Sequence, residues 1–234
     1  MRGSIVCCIL LCLFSRVIFD PTPAHAATKV HVMTFGKWTL VEWHPETGRT
    51  DEKPLTLRIR PLLVDGRIKE YVLGVPHDVT DRLFVVRRAF RVNDNLPDDP
   101  GNARWQWQRG GWLLVDRVTG RVSAVSLPEF DVLYSPVSWY RDYAAYCGVS
   151  DDGKKTYAMV TQLSRRKPVL KKALPGDGMP DNASPDSVCP VPSWQRSPVR
   201  VSFEPQGEAK QTFAVRGHAV DLVNDADDEE EGTK

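Results

Sequence analysis

Hydrophobic and polar residues alternate with a period of two along most of this chain, a period typical of β-strands with one buried face. Valine, isoleucine, leucine, tyrosine and tryptophan are frequent in these segments, and no stretch of a dozen residues has a helical period. The pattern predicts strands over residues 29–35, 37–43, 57–64, 67–73, 82–92, 104–109, 112–117, 121–126, 143–149, 156–163, 168–173, 199–203, 210–215 and 218–223. We therefore expect an all-β protein whose antiparallel meanders form a small or irregular β-propeller-like or β-sandwich domain.

Turn residues separate the strands and indicate how some of them pair. Asp65-Gly66 and Gly110-Gly111 are two-residue sequences typical of β-hairpin turns, whose central residues need positive φ. Strands 104–109 and 112–117 are therefore expected to be hairpin partners. Pro61 lacks a backbone N–H, so it predicts a sheet edge or a bulge within its strand.

The first 26 residues have the order of features found in an export signal. Arg2 provides a positive start, residues 4–14 are an uncharged and mostly apolar run, and Ala24-His25-Ala26 is a small-residue cleavage site. The apolar run is too short to cross a bilayer, which favours a cleaved signal peptide over a membrane anchor. We expect a protein that is exported to the periplasm or the extracellular space, with no transmembrane segment after removal of the signal.

The remaining chain divides by composition. Residues 27–173 are expected to form the β-meander core domain, and residues 199–223 to add strands that pack on it. Six prolines lie among glycine, aspartate and serine in residues 174–198, which predicts a loop or linker. Residues 224–234 are strongly acidic and are expected to form a solvated, disordered tail.

Charge and cysteine content limit the class of partner and the compartment. The signal removes two arginines and one aspartate from a chain of formal net charge +1, so the mature chain has no net charge that would attract nucleic acid or anionic lipid. Cys147 and Cys189 are the two cysteines left after the signal. In an oxidising compartment they are expected to form one disulfide, and the alternative is two buried thiols.

Residues 111–173 carry a pattern of strands and turns with a family likeness. Residues 112–121 read as a strand, an Asp-x-x-Thr-Gly turn and the start of a second strand, and Asp151-Asp152-Gly153 is the turn of a later meander. The segment resembles the blades of β-propellers of the TolB or WD-repeat type. The resemblance implies a protein that binds partners on the faces of its blades.

Three tryptophans carry the main functional hypothesis. A hairpin at Gly110-Gly111 with period two places one set of side chains on one face, namely Trp105, Trp107, Arg109, Trp112, Leu114 and Asp116. Such a face could stack against a sugar ring or a partner's side chains. The alternative is that the rings pack into the core, as cross-strand aromatic pairs do.

A second aromatic and charged cluster comes from Trp139, Tyr140 and Arg141, placed just before a predicted strand where loops often bind ligands. Its alternative role is to cap the core. Five basic residues occur close together, at Arg165, Arg166, Lys167, Lys171 and Lys172. They could meet an anionic polymer, but they more often protect an edge strand, and the lack of interleaved aromatic residues disfavours nucleic acid.

No catalytic, metal or cofactor motif is recognisable. His77-Asp78 with Asp81 is the one histidine–carboxylate cluster, and a turn after Pro76 would explain it. The sequence therefore predicts an exported, non-catalytic binding or scaffold protein of the bacterial envelope that recognises a protein or glycan. Two alternatives stay open: a secreted hydrolase acting on glycans with a carboxylate pair that cannot be located, and a structural subunit of a larger β-assembly.

Overall fold

The computed structural model describes residues 31–45, 53–93, 105–175, 189–205 and 207–216, and the backbone of residues 219–222. These residues form fifteen strands and include no helix. The strands are β1 (Met33–Phe35), β2 (Thr39–Trp43), β3 (Leu55–Val64), β4 (Arg67–Asp78), β5 (Leu83–Asn93), β6 (Trp105–Asp116), β7 (Val122–Ala124), β8 (Val137–Tyr140), β9 (Tyr143–Val149), β10 (Thr156–Gln162), β11 (Leu170–Ala173), β12 (Ser193–Arg196), β13 (Val199–Phe203), β14 (Gln211–Arg216) and β15 (Ala219–Leu222).

The expected fold class is confirmed: the chain is all-β, and its antiparallel meanders fit an irregular sandwich or propeller-like domain. Within the described ranges, no helix is long and apolar enough to cross a membrane. The predicted signal of residues 1–26 and the predicted acidic tail of residues 224–234 lie outside the described residues.

Seven strands, β1 to β7, form sheet A. Antiparallel pairs lead from β2 to β3, β4, β5 and β6 in turn, and a single parallel bridge between Trp43 and Trp107 joins β6 back to β2. These five strands therefore follow one another around a ring that is weakly connected between β2 and β6. Strands β1 and β7 pair outside this ring, with β3 and β6 respectively.

The local signals in this sheet act as expected. Asp65 and Gly66 have φ values of 51° and 75°, which confirms the tight turn between β3 and β4. Pro61 lies where β3 changes neighbours, because the β2 pairing ends at Ile59 and the β1 pairing begins at Leu62. The register of β3 against β4 also shifts between Leu62 and Leu63, so the expected irregularity beside this proline is present.

Both faces of sheet A bury apolar side chains. One face holds the cluster of Leu62, Val72, Phe84, Val86, Leu113 and Val115. The opposite face, which we call the inner face, holds Trp43, Leu57, Ile59, Leu73 and Ala89. The two clusters explain the length of apolar sequence in β5, since Val85 and Val86 lie on opposite faces and are both fully buried.

The other strands form two four-stranded meanders, sheet B from β8 to β11 and sheet C from β12 to β15. Ala145, Cys147 and Val160 of sheet B share a buried cluster with Val201 and Phe213 of sheet C. The opposite face of sheet B packs under the segment between β7 and β8, which contributes Leu127 and Phe130. The sheets are thus held together mainly by apolar contact.

Three local predictions were wrong. Residues 193–196 fall in the predicted linker but form β12, because the prolines at 190, 192 and 198 flank this strand and its backbone pairs with β13. Residues 137–140 form β8, joined to β9 by a two-residue turn at Arg141 and Asp142 with φ of 52° at Arg141. His77 and Asp78 continue β4 past Pro76 instead of forming a turn, because both pair with β5.

Candidate functional site

The Gly110-Gly111 pair does not form the predicted hairpin. Both glycines lie inside β6, which pairs with β5 throughout, so strands 104–109 and 112–117 are one strand. Arg109 is opposite Ala89 and Trp112 is opposite Arg87, which leaves both glycines opposite Arg88. This is a β-bulge, and glycine suits it because a Cβ at position 110 would lie 3.0 Å from the Arg88 Cβ and 3.2 Å from its carbonyl oxygen.

The bulge changes how the tryptophan face is built. One extra residue shifts the alternation by one, so the residues that a hairpin would have placed on one face share a face here too. They are now arranged along a single strand, and its twelve residues span roughly 35 Å at the usual rise. Trp105 and Asp116 are therefore at opposite ends, and the predicted compact platform does not form.

A second bulge lies directly across β5. The β4 register shifts between Leu73, which is opposite Arg87, and His77, which is opposite Val85. Gly74 has a φ of 65°, a value that glycine adopts without strain. The two bulges flank the same part of β5 from both sides, where bulges bend a sheet and redirect its side chains.

An open cleft with a volume of about 580 Å³ lies on the inner face at these bulges. Each strand of the ring contributes to it, from β2 to β6. Its lining residues are Trp43, Leu55, Thr56, Leu57, Leu73, Gly74, Val75, Arg87, Arg109 and Trp112. The size falls in the range of small-molecule sites, and aromatic and aliphatic walls with a few polar groups are typical of them.

Two arginines supply the polar groups of the cleft, and both are held in place. The Arg109 guanidinium lies 4.9 Å from the centre of the Trp43 ring. Trp43 is buried, and its indole Nε1 donates to Gln108 Oε1 at 3.1 Å. Arg87 donates from Nε to the Gly110 carbonyl at 3.3 Å and from Nη2 to the Val132 carbonyl. The cations are thus oriented by the protein before any ligand arrives.

Trp112 is supported from one side by the second predicted cluster. The Trp139 ring meets it edge to face, with centroids 5.3 Å apart. His77 stacks on Trp139 at 6.1 Å, and its Nε2 lies 2.8 Å from the Arg141 carbonyl oxygen. The structure therefore joins two aromatic groups that are separate in the sequence, with Trp112 at the cleft and Trp139 behind it.

The other predicted site residues lie outside the cleft. Trp105 is 58% exposed at one end of β6, whereas Trp107 is half-buried and packs edge to face on Tyr71 at 5.0 Å. Asp116 forms an ion pair with Arg82. Tyr140 stacks on Trp194 of sheet C at 5.4 Å, and the Arg141 guanidinium lies 5.4 Å from the Tyr140 ring.

Sequence reasoning missed Trp43, Arg87 and the aliphatic rim of the cleft. Leu55 and Val75 are 43% and 82% exposed, respectively. The one local signal was Gly74 inside a strand pattern, since glycine there suggests a bulge. Trp43 and Arg87 had none, because their meeting depends on how strands far apart in the sequence pair.

The remaining candidates stay structural. Among the described residues, no group of three or more histidine, cysteine or acidic side chains could hold a metal ion. The basic residues near 165–172 flank or belong to β11, an edge strand of sheet B, where charge protects against aggregation. Lys171 pairs with Glu129 at 2.6 Å, and Lys172 lies 5.6 Å from the Phe213 ring.

No protein family, curated protein or solved structure was found to match this chain. The likeness of residues 111–173 to TolB or WD-repeat blades therefore stays a prediction. The function has to be argued from the cleft.

Proposed function

We propose that this protein is an exported, non-catalytic binding protein of the bacterial envelope, and that its ligand is a glycan held in the inner-face cleft. The observation that carries the proposal is the meeting of Trp112, Arg87 and Arg109 in one open cleft. A tryptophan face stacks on the apolar side of a sugar ring, and arginine donates to its hydroxyl or carboxylate oxygens.

The construction of the cleft supports binding of a preformed kind. Trp43 and Trp139 support Arg109 and Trp112, respectively, and Arg87 is bonded to two backbone carbonyls. Side chains that are already ordered lose little conformational entropy when a ligand binds. The exposed Leu55 and Val75 at the rim add apolar surface that a ligand would cover.

The envelope location rests on two features. The first is the signal-like pattern of residues 1–26, and the second is the Cys147–Cys189 pair, whose Cα atoms are 6.1 Å apart. A disulfide of ordinary geometry joins Cα atoms at this distance and persists in an oxidising compartment. Fractionation of cells that express the full chain tests the location, and retention in the cytoplasm with both thiols free would contradict it.

The binding proposal is tested on an array of envelope glycans, followed by calorimetric titration of any glycan bound. We expect Trp112→Ala to weaken binding by about tenfold or more, because loss of a stacked ring removes 1–3 kcal/mol in comparable sites. Trp105→Ala is the matched control, since Trp105 lies on the same face of the same strand but outside the cleft. Its affinity should stay within about twofold of wild type.

Three outcomes would contradict the proposal. Equal loss in both tryptophan variants would move the binding surface away from the cleft. Turnover of a bound glycan would indicate the hydrolase alternative, and one acidic substitution should then abolish it. If the wild-type chain binds no glycan, and either binds a protein through the cleft or assembles through a free sheet edge, the glycan proposal is wrong.

A further inference from the structure

A second cationic site lies on the outer face of sheet A, on the other side of the sheet from the cleft. It consists of Arg58 and Arg60 on β3 with Phe35 and Trp38, and we call it the arginine–aromatic stack. Residues 58 and 60 alternate with the buried Leu57 and Ile59, so the period of two places them on the opposite face. No sequence motif indicated this group.

The stack brings two guanidinium groups onto the same ring. The Arg58 and Arg60 guanidinium carbons lie 4.7 and 4.3 Å from the centre of the Trp38 ring. Arg60 also lies 4.0 Å from the centre of the Phe35 ring. Phe35 in turn meets the buried Phe84 edge to face at 6.0 Å, which anchors the stack on the core.

Aromatic contact fixes the position of these arginines but does not neutralise them. Within the part of the chain that the structure describes, neither Arg58 nor Arg60 forms an ion pair. Arg88 on the same face differs, because its Nε lies 3.0 Å from Glu70 Oε2. The Arg60 Nε is buried and has no acceptor among the described residues.

The electrostatics agree with this geometry. Burial, and then the charge of Arg58, lower the pKa of Arg60 from its ordinary value. An anion between the two guanidinium groups would remove their repulsion and give acceptors to the outward-facing N–H groups. Leu40, opposite Arg58 on β2, is 68% exposed and leaves this side of the stack open to solvent.

We propose that the arginine–aromatic stack is a binding site for a phosphate group. Two planar guanidinium forks offer more donors than the two oxygens of one carboxylate can accept, and the three outer oxygens of a phosphate ester match them better. The phosphate could be free in solution or carried on a lipid headgroup. The site is independent of the glycan proposal, since it shares no residue with the cleft.

The first test is titration of the full chain with inorganic phosphate at constant ionic strength, followed by calorimetry. We expect saturable binding to the wild type and a weakening of about tenfold or more in Arg58→Gln, because one charge-assisted donor pair is lost. Arg91→Gln is the matched control. Arg91 is likewise an exposed arginine that lies over tryptophan rings, at 5.7 Å from Trp105 and 5.3 Å from Trp107, and its loss should leave binding within about twofold.

A conservative variant separates fork recognition from charge alone. Arg58→Lys keeps the charge and the fold but loses the planar fork, so it should bind phosphate more weakly than wild type. Binding equal to wild type in Arg58→Lys would overturn recognition by the stack. Absence of phosphate binding by the wild type at millimolar concentration, or an equal loss in Arg91→Gln, would overturn the site itself, provided that vesicles give the same result.

Vesicles identify the source of the phosphate. Sedimentation with phosphatidylglycerol vesicles, lost in Arg58→Gln, would assign the site to a lipid headgroup. Binding of inorganic phosphate without sedimentation would assign it to a soluble phosphate. Failure of both in a protein that still binds glycan would overturn this inference and leave the proposed function standing.

Discussion

Asp116 belongs to the predicted binding face, but its carboxylate stabilises a turn. Its Oδ1 accepts hydrogen bonds from Arg82 Nε at 2.9 Å and from the backbone N–H of Val118 at 2.9 Å and of Thr119 at 3.3 Å. Gly120, with a φ of 67°, completes the turn that leads to β7. The Asp-x-x-Thr-Gly pattern is therefore explained by local backbone bonding.

The pH dependence of stability tests this role. The hydrogen bond from Arg82 holds the pKa of Asp116 well below its usual range, with smaller contributions from Val118 and Thr119. A lowered folded-state pKa contributes stability above the unfolded value near pH 4, and this stability is lost as the pH falls further. We expect Asp116→Asn to lower the free energy of unfolding at pH 7 and to flatten its decline below about pH 4.

Urea unfolding at pH 7, 4 and 2.5 measures the effect of Asp116→Asn. Asp81→Asn is a suitable control, since Asp81 lies nearby, is exposed and forms no ion pair with the described residues. An unchanged acid slope in Asp116→Asn would show that the carboxylate is not the anchor of this turn.

At the scale of the element, the two bulges of sheet A determine where the cleft lies. They act on β4 and β6 at the same level of β5, so Arg87 is placed between them. A regular β6 would put Arg109 and Trp112 on opposite faces, because three residues separate them. The bulge returns both to the inner face, where they line one cleft.

Alanine at the two glycines of β6 should have opposite effects. At position 110 the new Cβ would be crowded by the Arg88 Cβ at 3.0 Å and its carbonyl oxygen at 3.2 Å, and overpacking of this kind costs about 1–3 kcal/mol. At position 111 a Cβ would meet nothing within 4 Å, so a gain of about 0.4–1 kcal/mol from reduced chain entropy is expected. Chemical denaturation of both variants measures the difference. Similar free energies of unfolding for the two would contradict the bulge geometry.

At the scale of the whole molecule, the cysteine pair links two sheets. Cys147 lies in β9 of sheet B, and Cys189 precedes β12 of sheet C. Both are buried within the cluster that the two sheets share. The bond therefore joins the C-terminal strands to the earlier part of the chain at the place where apolar contact already holds them.

Removal of this link should be costly. The two cysteines are 42 residues apart, and a loop of this length is stabilised by about 4 kcal/mol in the chain-entropy model. Urea unfolding of Cys147→Ser/Cys189→Ser against wild type measures the loss. Thiol labelling of the unfolded, unreduced wild type should detect no free thiol at either position, and full labelling of both would mean that the pair is reduced.

The alternation of apolar and polar residues predicts most of the strands. Errors arose where backbone conformation depends on distant contacts. Gly110-Gly111 has the local signature of a turn, yet continuous pairing with β5 keeps it within a strand. Residues 193–196 have a composition typical of a linker, but pairing with β13 and the packing of Trp194 on Tyr140 make them a strand.

Some properties depend on short-range pattern alone, and those were readable from the chain: an all-β fold, the Asp65-Gly66 turn, the irregularity at Pro61 and the pairing of two cysteines. Burial of one strand face, backbone φ and the lack of a proline N–H are set by residues next to one another. The cleft and the arginine–aromatic stack could not be read in this way. Trp43, Arg87 and Trp112 come together through the ring of strands and through bulges that shift its alternation, and such pairing is a property of the folded sheet.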